Sequence, residues 1–164
     1  MSEQGTQSAT WSLATALTAV GGFLAAAGVI LPWASATGFR TTEIFGEEVV
    51  GTTSSNGLGD VIGLVTLLTG LAIGVLGVVA LLRTGEAVRR AAGIAAIVGG
   101  IAILAACVLG AVRVDAVLGE LPPALADPRV AVGTSVAAGL FVSAAGGAIA
   151  AAGGLIARRA PAPS

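Results

Sequence analysis

Charge is missing from four stretches of this chain, and each stretch is long enough to cross a lipid bilayer. No residue between Glu3 and Arg40 is charged, and the later gaps run Val61–Leu82, Ala91–Val112 and Val130–Ala157. The second and third gaps are 22 residues each and the fourth is 28. A helix rises about 1.5 Å per residue, so even the shorter gaps make rods of roughly 33 Å against a hydrocarbon core of about 30 Å. The fold class this dictates is all-α membrane: a four-transmembrane-helix bundle with helices at about 11–31, 60–82, 90–113 and 131–157.

Hydrophobic residues make up 55% of the chain and charged ones 10%, against about 25% charged in an ordinary soluble domain. A water-soluble bundle would need polar outer faces, and these spans are apolar all round. With 164 residues there is room for a single integral membrane domain and no separate soluble one. Outer loops fall at about 32–59 and 114–130, an inner loop at 83–90 and a disordered tail at 160–164. The basic residues are eight Arg with no Lys, a usage that fits a high-GC bacterial genome. Ala34-Ser35-Ala36 looks like a signal-peptide cleavage site. The run from Trp11 to Leu31 is nevertheless about twice a typical signal core and has no Arg or Lys before it, so a retained helix is expected. Trp11 and Trp33 bracket it as interfacial anchors would.

Four spans put both termini and the 83–90 loop on one side. That side carries Arg83, Arg89, Arg90, Arg158 and Arg159 against Glu3 and Glu86. The other carries Arg40, Arg113 and Arg129 against Glu43, Glu47, Glu48, Asp60, Asp115, Glu120 and Asp127. Five arginines against three place the N- and C-termini in the cytoplasm of a cell-membrane protein by the positive-inside rule.

In the first outer loop, Phe39–Phe45 and Glu48–Thr53 suit strands, and Gly46-Glu47 between them suits a two-residue turn. A small extracytoplasmic β-hairpin is expected, leaning on the third loop or on a partner because an isolated hairpin is marginal in water. Asp60 is placed to cap the second span. In the third loop a short interfacial helix should end by Leu121, before Pro122-Pro123, and Asp127-Pro128 should lead into span four. The three glutamates of the first loop lack the ligand spacing of a calcium site and read as a solvated acidic surface.

Lipid gives helices little hydrophobic reason to associate, so close approach through small residues matters. Span four offers Ser135, Gly139, Ser143, Gly147 and Ala151 at every fourth position, and span one offers Ala14, Thr18, Gly22 and Ala26. Span two has Gly70 and Gly74, with Gly63 and Gly77 seven residues to either side of Gly70. The five-member stripe predicts tight packing of span four on a neighbour, in the bundle or in another subunit. No charged residue sits at bilayer depth and all six Pro lie outside the spans, which argues against ion-coupled transport. Without His, the commonest general base and metal ligand is missing. Cys107, alone, reads as an apolar filler. No enzyme activity, cofactor, metal or nucleic-acid partner is expected.

An apolar helix ending in Leu31-Pro32-Trp33, a strand-rich outer loop, the return Asn56-Gly57-Leu58-Gly59-Asp60 into the second helix, an Arg-bearing inner hairpin and a Gly-rich fourth helix form one layout. It resembles uncharacterised four-span membrane proteins of actinobacteria, a group that implies no activity. It is also similar to the claudin-like plan of four helices with an outer β-element. The claudin Trp-Gly-Leu-Trp and paired-Cys pattern is missing, so only architecture carries over. The expected role is a non-enzymatic accessory or structural component of a membrane complex, partnered by the lipid bilayer and by a membrane protein or a second copy through span four or the outer hairpin. The alternative is a permease-like or lipid-binding protein that holds a small apolar molecule between its helices.

Overall fold

The computed structural model describes residues 2–42, 46–83 and 85–159, with side chains from residue 9 onward. In chain order the elements are α1 (Ser2–Ile30), β1 (Pro32–Thr42), β2 (Gly46–Asn56), a 3-10 turn (Gly57–Gly59), α2 (Val61–Leu82), α3 (Glu86–Val112), the short α4 (Val114–Leu118), β3 (Ala131–Val136) and α5 (Ala138–Arg159). Among the described residues α1, α2, α3 and α5 are long and apolar enough to cross a membrane. They form a ring in which α1 packs on α2 and α5, and α3 on the same two, with little contact across the diagonals.

The bundle is turned inside out relative to a water-soluble one. Leu68 is 66% exposed and Val112 79%, while Ala14, Ala25, Ala96 and Ala150 are wholly buried. Large apolar residues covering the outside would be an aggregation surface in water. In hydrocarbon they are the solvated face, and small residues inside let the backbones approach. This is a multi-pass membrane protein.

The expected hairpin is present, but as part of a three-stranded antiparallel sheet of order β2-β1-β3. Gly46 and Glu47 do not form its turn. They belong to β2, opposite Thr42 and Thr41. The paired strands leave three residues between them rather than two, and Gly46, opposite Thr42, takes φ +74°, the left-handed region that favours glycine. Glu43, Ile44 and Phe45, expected in the first strand, lie outside the described residues, as does the tail 160–164.

Span four is the larger correction. Residues 131–136 are β3, not helix, and α5 starts only at Ala138. Val130, Val132, Thr134 and Val136 alternate with small residues, a period of two that suits the pleat. The edge of β1 supplies the hydrogen-bond partner that makes a strand better than an extended helix here. The inner connection is likewise shorter than 83–90, because α3 already begins at Glu86. Asp60 occupies the N-cap of α2 but makes no side-chain cap hydrogen bond. Asn56 caps the preceding turn instead, its side chain accepting from the Leu58 nitrogen at 3.2 Å. The helix of the third loop ends at Leu118 rather than Leu121, where Gly119 takes φ +66°.

Candidate functional site

The small residues singled out in the sequence are divided between two neighbours. A methyl added to Gly153 of α5 would stand 2.8 Å from the Ala14 oxygen and the Thr18 nitrogen. One added to Gly70 of α2 would stand 2.8 Å from the Gly22 oxygen and 2.9 Å from the Ala26 nitrogen. Gly74 lies against Gly22 and the Phe23 ring. On α5, Gly139 and Ser143 face α1, and the buried Ser143 hydroxyl donates to the Ala25 oxygen at 3.0 Å. Gly147 and Ala151 face Gly100 of α3 instead. An every-fourth stripe advances about 40° per step on a helix of 3.6 residues per turn, so three steps carry it from one neighbour to the next. The α1–α5 seam follows alternating steps of four and three: Ala14, Thr18, Gly21, Ala25, Gly28 against Gly139, Ser143, Gly146, Ala150, Gly153. That is heptad spacing, which keeps one face on one partner. Ser135 is outside the seam altogether; it lies in β3, its hydroxyl 2.9 Å from that of Ser35.

At the sheet end, Trp33 closes the mouth of the bundle. It is the extra residue where the β1–β2 register slips between Pro32↔Asn56 and Ala34↔Ser55. A bulge of this kind re-aims a side chain, and here the indole is fully buried against Gly57 and Gly110. Its Nε1 donates to the Gly28 oxygen at 3.0 Å, and its carbonyl accepts from Ala137 at 2.9 Å. Trp11 is also buried, with the Arg89 guanidinium 5.2 Å from the ring centroid. Neither tryptophan is an interfacial anchor, because each bundle end offers burial plus a specific partner.

One face of the outer sheet is sealed by the third loop. Ala36 packs with Leu125 and Val130, with Leu118, Leu121, Val50 and Val132 around them, and Arg40 pairs with Asp127 at 3.1 Å. The opposite face is hydroxyl-lined. Ser54, Ser35 and Ser135 form one row across the three strands, and Thr52 and Thr37 pair in the next; Thr52, Ser54 and Ser135 are exposed. β2 is an edge strand of eleven residues, charged only at Glu47 and Glu48 near its tip.

The end of the bundle opposite the sheet has a pocket of about 420 Å³ between α1, α3 and α5, lined by Trp11, Glu86, Arg89, Arg90, Gly93, Ile94, Ala157 and Arg158. Three guanidiniums converge there against one described carboxylate, and Arg90 meets Glu86 at 2.6 Å across one helical turn. Sequence reasoning used these arginines only to set orientation; nothing local marks that Trp11, nearly eighty residues away, would floor their pocket. Among the described residues no three His, Cys, Asp or Glu side chains gather where they could hold a metal. Cys107 is buried in the main core with Ile103 and Leu140.

Fold and ends together define a small multi-pass membrane protein with a close-packed helical interior, a β-platform at one end and a basic pocket at the other. Comparison with protein-family models gives no match, and comparison with curated proteins gives none either.

Proposed function

We propose that this chain is a non-enzymatic accessory or structural component of a membrane complex, and that it seats an extended segment of a partner protein on its outer sheet. The observation that carries the reading is the edge of β2 from Gly51 to Asn56, past its bulge at Val50 and beside the hydroxyl-lined face. Natural edge strands are usually blunted by Lys, Pro, bulges or a covering element. From Gly51 to Asn56 this edge is uncharged Gly-Thr-Thr-Ser-Ser-Asn, its side chains small and no further described strand paired to it. Strand addition draws affinity from just such main-chain groups and specificity from alternate side chains. The test is co-purification from mild detergent with native-mass sizing of the intact chain. A stoichiometric partner is expected, and Thr52→Lys with Ser54→Lys should abolish it while the bundle stays monodisperse. A partner retained equally by that variant would overturn the reading.

The proposed orientation puts the sheet on the extracytoplasmic side of the cell membrane and both termini in the cytoplasm, supported by five inner arginines against three outer ones. A cysteine replacing Glu47 is expected to react with an impermeant thiol reagent in intact cells, and one replacing Glu86 is not. Cys107 is buried and should contribute no background. Labelling of the Glu86 position alone would invert the topology. The permease-like alternative needs room for an apolar molecule between helices, and the backbone contact along the α1–α5 seam weighs against it.

A further inference from the structure

We propose that the inner pocket is a binding site for the phosphate of an anionic phospholipid headgroup. It lies at the opposite end from the outer sheet and stands or falls independently of any partner there. Arg89 and Arg90 come from the first turns of α3 and Arg158 from the last turn of α5, so their forks converge from two helices on one cavity. Glu86 balances one of the three, which leaves the described lining of the pocket positive toward a ligand. A planar guanidinium binds phosphate oxygens through paired, charge-assisted hydrogen bonds. Arg89 is held over the Trp11 ring, which fixes that guanidinium in place before a ligand arrives.

The cavity also has the shape a lipid needs. Gly93 lies in its wall against α5, where a methyl would meet the Gly154 oxygen at 3.5 Å in ordinary contact, so the backbone there leaves a side chain's width to the cavity. The next exposed residues along α3 toward the bilayer centre are Ile94, Val98 and Ile101, at 52%, 63% and 58% exposure. They form one apolar track leading away from the arginines, where an acyl chain can lie while its phosphate sits above. Basic pockets between membrane helices are the general form of anionic headgroup sites, whereas a water-soluble phosphate ligand would gain nothing from the track.

The test is native mass spectrometry of the delipidated full chain titrated with phosphatidylglycerol, with phosphatidylcholine, and with inorganic phosphate as competitor. Phosphatidylglycerol is expected to bind and phosphatidylcholine not, with inorganic phosphate failing to displace the lipid. Arg90→Gln with Arg158→Gln should weaken binding by about twenty-five-fold, roughly five-fold for each charge lost near the membrane surface. Glu86→Gln should strengthen it, a gain that a purely structural glutamate would not give. Gly93→Leu, which fills the cavity without changing charge, should abolish binding while leaving the helical circular-dichroism signal intact. Equal occupancy by the zwitterionic lipid, indifference to the double arginine variant or to Gly93→Leu, or displacement by inorganic phosphate would each overturn the proposal.

Discussion

Trp33→Ala is expected to be the most damaging single truncation in the protein, lowering stability by about 3–5 kcal/mol, the range for removing a buried large aromatic. The indole is the largest fully buried side chain, and it joins the 3-10 turn at Gly57 to α3 at Gly110 in the mouth of the bundle. Its hydrogen bond has a further reason. The Gly28 oxygen sits in the last turn of α1, where the regular intrahelical donor would be the nitrogen of residue 32. That residue is Pro32, which has no N–H to give. The Trp33 indole nitrogen supplies the missing donor at 3.0 Å. Trp33→Phe keeps much of the packing and leaves the carbonyl unsatisfied, so it should cost about 1–3 kcal/mol, less than the alanine. Unfolding from mild detergent by a denaturing one measures both; an alanine variant within 1 kcal/mol of the parent would contradict this account of the mouth.

The number and approximate limits of the helices were legible because lipid imposes a coarse requirement, an uncharged run of sufficient length, that can be read without knowing any neighbour. What was misread depends on neighbours. The run from Val130 to Ala157 is longer than a bilayer needs, and the excess is the clue: its first part alternates Val130, Val132, Thr134, Val136 and is taken by the edge of β1. Absence of charge alone cannot tell such a strand from a helix, and Ser135 lies in β3. Fourfold spacing drifts around the helix, so Gly139 and Ser143 reach α1 while Gly147 and Ala151 reach α3; heptad spacing would have named the seam. The inner pocket had no local signature, because Trp11, Arg89 and Arg158 come from three helices and meet only once the ring closes.

A single methyl should separate the seam from its surroundings. In a helix Ala is favoured over Gly by about 1 kcal/mol, so propensity alone has both Gly146→Ala and Gly93→Ala stabilising. Packing gives them opposite signs. At Gly146 the new carbon would stand 2.7 Å from the Gly21 oxygen and 2.8 Å from the Ala25 Cα, and closer still to the Ala25 nitrogen. All three are backbone atoms of α1, which cannot swing aside as a side-chain tip can, so the whole helix must move. That shift loosens the Ser143 hydrogen bond to the Ala25 oxygen on the adjoining turn, and with it the seam on which α1 and α5 rely in place of hydrophobic drive. The expected cost exceeds the roughly 1–3 kcal/mol usual for overpacking. At Gly93 the nearest atom is 3.5 Å away, ordinary contact, and the variant should be neutral or more stable. Measured side by side in the same detergent, two variants of equal stability would mean that α1 and α5 are not held by backbone contact.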